Sequence, residues 1–163
     1  MDQENSQYLL FSLGHETFGI AIGAVREIIE YPSLTTLPLT PAFMRGVINL
    51  RGAVVPVVDL SARFGRQATI IGRRSCVVVI EPPADGQHRP LGIVVDGVTE
   101  VVRVGPSQIG QRPQFGNGLR ADFVTCVLKR DSGFVMILDL PAVLSFAELE
   151  QLVTQPLAKV ASA

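Results

Sequence analysis

Residues 18–29 read FGIAIGAVREII, and residues 91–102 read LGIVVDGVTEVV. The two stretches match at an offset of 73 residues, with a large apolar residue, a glycine and an apolar run in the same order. Val and Ile are stiff at the first side-chain torsion and suit a pleated, half-buried surface, so both stretches favour strands. Self-similarity at a long, fixed spacing indicates two copies of one structural unit.

A second match lies nearer the end of each unit. Residues 55–60 read VPVVDL and residues 135–140 read VMILDL, at an offset of 80. The larger offset means that the second unit contains extra residues. They fall in the Gly- and Pro-rich stretch 105–120, which predicts a loop.

The strand-like runs form two sets of five, separated by turn-forming residues. Each set predicts a small five-stranded barrel, which removes exposed sheet edges by closure. Alone, each barrel would be marginally stable, so we expect the two to share an apolar interface. The predicted strands are 8–13, 17–22, 25–31, 46–50 and 53–59 in the barrel at about 7–64, and 74–81, 91–96, 99–104, 123–130 and 134–139 in the barrel at about 73–140.

Composition agrees with an all-β fold and argues against several other classes of protein. The 163 residues include 21 Val and 11 Ile, and 18% are charged against the usual ~25%, which argues against disorder. A net charge of −1 argues against nucleic acid or an anionic membrane as the partner. The beginning of the chain has no signal-peptide pattern, and no apolar run approaches the ~20 residues of a membrane helix. We therefore expect a cytoplasmic protein.

Helix is scarce: residues 40–44 suit a single turn, and the clearest helix is near the end. Ser145 and Glu148 form a capping box, which predicts a helix at about 145–154 followed by a loose tail at 155–163. Pro56 lacks an amide hydrogen and suggests an edge strand. Phe115 lies in the Gly-rich loop, either folded onto the core or exposed as a contact residue.

Motifs for catalysis, metal binding or cofactor binding are not found, which predicts a protein that is not an enzyme and needs no cofactor. His15 and His88 fall in polar loops, and Cys76 and Cys126 fall in valine-rich strands as expected for buried, reduced thiols.

Two acidic features need separate interpretation. Asp131, Ser132 and Gly133 match the aspartic protease triplet, but that chemistry needs two carboxylates that share a proton. The first unit has Arg51-Gly52 at the equivalent place, so a hairpin turn is the favoured interpretation. Asp59 and Asp139 end equivalent strands, where we expect each to accept backbone N–H bonds in the following turn.

The most unusual polar segment carries a family resemblance. Residues 44–52, MRGVINLRG, followed by 55–60, VPVVDL, resemble the signature of the CheW family of chemotaxis coupling proteins. Residues 18–28 and 92–98 match the family's first-barrel and second-barrel blocks. The resemblance covers about 7–153, as a single CheW-like domain.

The resemblance implies two tandem SH3-like barrels packed together and a non-catalytic adaptor. Such an adaptor links transmembrane chemoreceptors (methyl-accepting chemotaxis proteins) to a CheA-type histidine kinase. It would be cytoplasmic and associated with membrane-bound receptor arrays. The receptor's cytoplasmic helical tip would occupy the groove between the barrels, and the kinase regulatory domain would bind through barrel contacts, as other CheW copies would in rings.

The resemblance also implies roles for particular residues. Arg51 matches the turn arginine required for coupling, with Glu27 as its ion-pair partner, and Phe115 matches a ring-contact aromatic. The implied receptor-binding residues are Val25, Glu27, Arg51 and Val98, and the implied kinase-binding residues are Gly46, Asn49, Leu50, Gly52 and Phe115. Three alternatives stay open: a paralogous coupler for pilus motility or surface sensing, a small barrel that binds nucleic acid, and an aspartic protease.

Overall fold

Strands account for most of the regular structure in the computed structural model, which describes residues 6–38, 40–81, 90–111, 121–131 and 133–144. This confirms the predicted all-β class. Two short helices are present, α1 (Leu60–Arg63) and α2 (Leu140–Leu144). Each follows the last strand of its repeat. The strands are β1 (Ser6–Leu13), β2 (Glu16–Ala21), β3 (Val25–Glu30), β4 (Met44–Leu50), β5 (Ala53–Asp59), β6 (Cys76–Ile80), β7 (Leu91–Val95), β8 (Gly97–Val104), β9 (Ile109–Gln111), β10 (Val124–Arg130) and β11 (Gly133–Leu138).

The strands form two sheets, and each sheet takes strands from both halves of the sequence. Sheet I has the order β8-β1-β2-β11-β10-β9, and sheet II has the order β3-β6-β7-β5-β4. The repeat equates β1 and β2 with β6 and β7, so the two units exchange their first hairpins reciprocally. The predicted chain boundary, with 7–64 in one barrel and 73–140 in the other, therefore does not coincide with the sheets.

The exchange arises at two short corners. The 3₁₀ turn Ile22–Ala24 leads from β2 into β3 of the other sheet, and the Glu81 amide donates to the Ala24 carbonyl there at 2.9 Å. The equivalent corner is the single residue Asp96 between β7 and β8, whose amide donates to the Ser12 carbonyl at 3.0 Å. At each corner the chain passes directly from a strand of one sheet into a strand of the other.

Matching glycines mark the places where the exchanged hairpins join. Gly19 of β2 lies beside Ile137 of β11 in parallel pairing, and Gly92 of β7 lies beside Val57 of β5 in the same way. A Cβ atom at Gly19 would lie 2.7 Å from the Ile137 side chain, and one at Gly92 would lie 2.7 Å from that of Val77. Neighbouring side chains thus lie over each glycine and leave no room for a Cβ atom there.

The buried apolar residues of the described ranges form three clusters. One cluster lies on the inner face of each sheet: Leu10 and Val135 belong to that of sheet I, and Val57 and Val79 to that of sheet II. The third and largest cluster, the inter-sheet core, combines residues of both sheets, including Phe18 and Ile93. The expected apolar interface between the two units is confirmed.

Two local predictions are wrong, and one helix prediction lies outside the described residues. Strand β9 pairs with β10 inside the stretch that was predicted to be loop, 105–120. Pro56 is not on an edge strand, because β5 lies between β4 and β7; proline is tolerated since only Val57–Asp59 pair with β7. The predicted helix at 145–154 and tail at 155–163 lie outside the described residues.

Candidate functional site

The β4–β5 hairpin presents Arg51 at the tip of a two-residue turn. Leu50 pairs with Ala53, and the turn residues Arg51 and Gly52 have φ angles of 53° and 86°. Positive φ at both central positions is typical of the type I′ turn, which matches the natural twist of a hairpin. Arg51 is the one non-glycine residue with positive φ in the described part of the chain, and the Asn49 Oδ1 atom fixes the turn by accepting from the Gly52 amide at 2.9 Å.

A bidentate ion pair joins this turn to β3 at the far edge of sheet II. The Arg51 guanidinium donates to both Glu27 carboxylate oxygens, at 2.5 and 2.9 Å. The hydrogen bonds from Arg51 lower the pKa of Glu27, and the carboxylate in turn raises the pKa of Arg51. We call this pair the first clasp; the ion pair that the resemblance implied is confirmed, and it holds the hairpin tip against the opposite edge of its sheet.

Sheet I contains a second clasp that the sequence analysis missed. Arg130, beside the β10–β11 turn, donates to Glu100 of β8 at 3.3 Å. The repeat equates Glu100 with Glu27, which was the available signal. The arginines do not align, because Arg130 ends its strand and pairs with Gly133, whereas Arg51 lies within the turn.

The apolar positions Val25 and Val98 lie at equivalent places on the two edge strands β3 and β8. Both are half-buried and pack against the inter-sheet core. A β-bulge follows each of them, at Arg26 and at Thr99, where one residue has no partner in the ladder.

The bulges bring further apolar residues to the same face, which sequence reasoning missed. Ile28 pairs with Val78, and Val101 pairs with Leu9; both partners belong to the inter-sheet core. Residues directly opposite each other in a ladder share a face. Ile28 and Val101 are 44% and 50% exposed. We call Val25, Ile28, Val98 and Val101 the groove residues.

The structure therefore divides the four implied receptor-binding residues into two groups. Glu27 pairs with Val79 of the sheet II inner core, so its side chain lies on the opposite face of β3 from Val25. Val25 and Val98 contact the inter-sheet core, whereas Glu27 and Arg51 form the first clasp.

The implied kinase-binding residues also differ in accessibility. Asn49 and Gly52 are exposed, and Leu50 packs against the sheet II inner core. Gly46 is buried with a φ of 144°, and a Cβ there would lie 2.4 Å from the Thr35 carbonyl oxygen, so its identity is explained by close backbone packing. Phe115 lies outside the described residues.

Exposed apolar residues beside both hairpin tips were also missed. Val54, opposite Asn49 in the ladder, is 61% exposed, and Phe134, at the equivalent place opposite Lys129, is 71% exposed. Their neighbours Val55 and Val135 are buried, so alternation along each strand turns Val54 and Phe134 outward.

The acidic candidates have structural roles. The Asp59 and Asp139 carboxylates each accept the amide three residues on, from Ala62 and Ala142, both at 3.2 Å, as expected for strand-ending aspartates. Asp131 is exposed in the turn that joins β10 to β11, and Ser132 lies outside the described residues.

The remaining reactive groups do not converge. Cys76 and Cys126 are free and half-buried, and burial raises the pKa of both thiols. His15 is exposed, and His88 lies outside the described residues. Within the described ranges, no three metal-ligating side chains come together, and no helix is long and apolar enough to span a membrane.

Comparison with known proteins gives one consistent result. The family model described as "CheW-like domain" matches residues 7–148. A chemotaxis protein CheW of Klebsiella aerogenes is 36% identical over 88% of this chain and 84% of its own length. A probable chemotaxis protein CheW of Rhizobium etli is 32% identical over 92% of this chain and 94% of its own length. The crystal structure of the scaffolding protein TtCheW from Thermoanaerobacter tengcongensis superposes with a TM-score of 0.75 at 33% identity, covering 83% of this chain and 89% of that one.

Proposed function

This chain belongs to the family of CheW-like domains, and on that premise we propose that it is a chemotaxis coupling scaffold that joins chemoreceptors to a CheA-type histidine kinase. The observation that carries the proposal is the presence, on one chain, of the first clasp on a hairpin and of partly exposed apolar residues on the edge strands β3 and β8. Two separate surfaces on one small chain suit a protein that holds two partners at once. We propose that it acts without catalysis.

The groove residues are the proposed receptor site. We propose that Val25 and Val98, which pack on the inter-sheet core, form the floor of an apolar groove, and that the exposed Ile28 and Val101 form its walls. An amphipathic helix binds such a groove through apolar residues that recur along one face. Burial contributes about 25 cal/mol for each Å² of apolar surface, before the cost of association is subtracted.

The β4–β5 hairpin is the proposed kinase site. Asn49 and Val54 are exposed side by side on the hairpin, and the first clasp fixes the direction in which they project. Arg51 is 68% exposed, so its pairing is screened by solvent and contributes orientation more than stability. Phe134 provides a comparable apolar position on the β10–β11 hairpin, suited to contact with another family domain in a ring.

Signal transfer through such a scaffold requires that its contacts differ between the two signalling states. A coupler that binds both states of the kinase equally well transmits nothing, however tightly it binds. The proposed site therefore has to contact the receptor tip differently in the two signalling states, and the clasped hairpin is the element that would pass this difference on. We propose that the chain works in the cytoplasm, at membrane-bound receptor arrays.

The proposal is tested by binding to each partner separately. Isothermal titration calorimetry should detect binding of the chain to a CheA-type regulatory domain and, independently, to a cytoplasmic receptor fragment that contains the helical tip. A kinase from a pilus-motility system serves as the specificity control. Binding to neither a chemotaxis kinase nor a receptor fragment would overturn the proposal, as would tighter binding to an oligonucleotide.

A further inference from the structure

The connection between the two repeats, residues 64–75, has no regular strand, yet it is fixed at a buried anchor. The Thr69 amide donates to the Asp59 Oδ2 atom at 2.9 Å, and the Thr69 hydroxyl donates to Oδ1 at 3.1 Å. Arg45 donates to the same carboxylate at 3.0 Å and also to the Thr69 carbonyl. Asp59 is fully buried, and a buried charge needs an ion-pair partner and hydrogen bonds. Arg45 neutralises this charge, and the carboxylate oxygens accept the hydrogen bonds just described.

Two further contacts hold the connection on either side of this anchor. The Ser61 hydroxyl donates to the Gln67 carbonyl at 2.6 Å, and the Gly72 amide donates to the Ser75 hydroxyl at 2.8 Å. A segment that is fixed at three places presents its intervening side chains in a defined geometry, which reduces the ordering cost of binding.

The fixed segment forms one wall of a cleft of about 630 Å³. The opposite wall consists of the β1–β2 and β7–β8 turns, where the Gly14 amide donates to the Asp96 carboxylate. The lining includes Gly14, Arg66, Ile70, Arg73, Arg74 and Asp96. The groove residues and the two clasps do not contribute to this lining, so the cleft is separate from the proposed partner sites.

The arginines that line the cleft differ in whether they form an ion pair. Arg66 pairs with Glu16 and lies over the Phe18 and Phe64 rings, with its guanidinium carbon at 6.0 and 5.9 Å from their centroids. Arg73 and Arg74 are exposed, and neither forms an ion pair with any residue that the structure describes. Two consecutive arginines that form no ion pair with a described residue favour a ligand that carries carboxylates or phosphates.

An apolar residue beside these arginines narrows the class of ligand. Ile70 also lines the cleft and is 81% exposed, the largest exposure among the exposed large apolar residues of the described chain. A small inorganic anion would leave Ile70 in water, whereas an acidic peptide with apolar residues between its carboxylates would cover it. Nucleic acid is disfavoured, because the chain has a net charge of −1.

We propose that this cleft binds an acidic, amphipathic segment of a protein partner, with carboxylates on Arg73 and Arg74 and an apolar side chain against Ile70. The site does not depend on the proposed coupling function. A partner held there would attach to the scaffold without competing for the groove or the clasped hairpin.

The test uses the full chain and a fluorescein-labelled synthetic helix that alternates pairs of Glu and Leu, with binding read by fluorescence anisotropy. We expect Arg73→Glu to weaken binding about tenfold. Arg103→Glu is the matched control, since it makes the same charge change on exposed β8, about 20 Å along the strand from Gly97, and should alter binding less than twofold or so. Ile70→Ser should also weaken binding, and added salt should reduce it.

Three results would overturn the proposal. One is failure of the wild-type chain to bind the peptide. Another is equal weakening by Arg73→Glu and Arg103→Glu, which would mean unspecific attraction. The third is displacement of the peptide by inorganic phosphate at equal concentration together with no effect of Ile70→Ser, which would identify a small-anion site.

Discussion

Arg51 and Glu27 are 24 positions apart in the chain, yet two hydrogen bonds of 2.5 and 2.9 Å join their side chains across the open end of sheet II. Arg51 reaches Glu27 from a backbone conformation that L residues rarely adopt, with φ at 53°. A strained backbone that persists at an exposed turn suggests a functional reason for it. We therefore expect the clasp to matter more for coupling than for folding.

Replacing Arg51 distinguishes a role of the first clasp in coupling from a role in folding. Asn is favoured at positive φ in a type I′ turn, so Arg51→Asn should keep the hairpin and shift the melting temperature by no more than about 3 °C. Loss of the clasp should lower receptor-dependent kinase stimulation by about tenfold, measured in receptor-containing vesicles. The charge-swapped double variant Glu27→Arg/Arg51→Glu should regain part of the stimulation if orientation is the role of the clasp. Normal stimulation by a folded Arg51→Asn variant would contradict this account.

The clasp should also give Glu27 a distinctive titration. Arg51 hydrogen-bonds to the charged carboxylate and so lowers the pKa of Glu27 in the folded chain. The resulting stabilisation is complete above the pKa of an unfolded glutamate and is lost as pH falls through the lowered folded value. Carboxyl-carbon NMR should therefore show a lower titration midpoint for Glu27 in the wild type than in Arg51→Asn; equal midpoints would mean that the clasp does not form in solution.

The glycines at the exchanged hairpins should be intolerant of a methyl group. Gly19→Ala and Gly92→Ala would place a Cβ within 2.8 Å of core side chains, and we expect each to lower the free energy of unfolding by about 1–3 kcal/mol in urea denaturation. Gly23→Ala is the matched control, because no heavy atom lies within 4 Å of its added Cβ. Equal effects at all three positions would argue against close packing at the parallel junctions.

The groove residues should affect receptor binding selectively. Ile28→Thr and Val101→Thr keep a β-branched side chain on the strand and remove apolar surface from positions that are about half exposed. Together they should weaken binding to a receptor fragment about tenfold and leave kinase binding unchanged. Val54→Thr should weaken kinase binding and leave receptor binding unchanged. If both variants weakened both interactions equally, the division into groove and hairpin sites would be wrong.

Local features of this fold were predictable because the two repeats carry them in short stretches. The alternation and turn residues around 18–29 and 91–102 indicated the strands, and the resemblance pointed to the Arg51–Glu27 pair. The exchange of hairpins was not predictable, because it depends on parallel pairings such as Gly19 with Ile137, far apart in the chain. No local propensity determines which distant strand a hairpin joins.

Only two of the four groove residues were predictable, because the other two also depend on how distant strands pair. Simple alternation puts Val25 and Glu27 on one face of β3. The bulge at Arg26 instead puts Val25 and Ile28 on the inter-sheet side, and the bulge at Thr99 does the same for Val98 and Val101. A bulge is a property of two paired strands, so the partner strand must be known before it can be located.

One chain should hold receptor and kinase together, and co-sedimentation measures this. Receptor-containing vesicles are mixed with a CheA-type kinase, with and without the chain, and the kinase in the pellet is measured. We predict that the kinase pellets only when the chain is present, and that Ile28→Thr/Val101→Thr, which still binds kinase, leaves it in the supernatant. Equal amounts of kinase in the pellet with and without the chain, or no kinase in the pellet under either condition, would contradict the account.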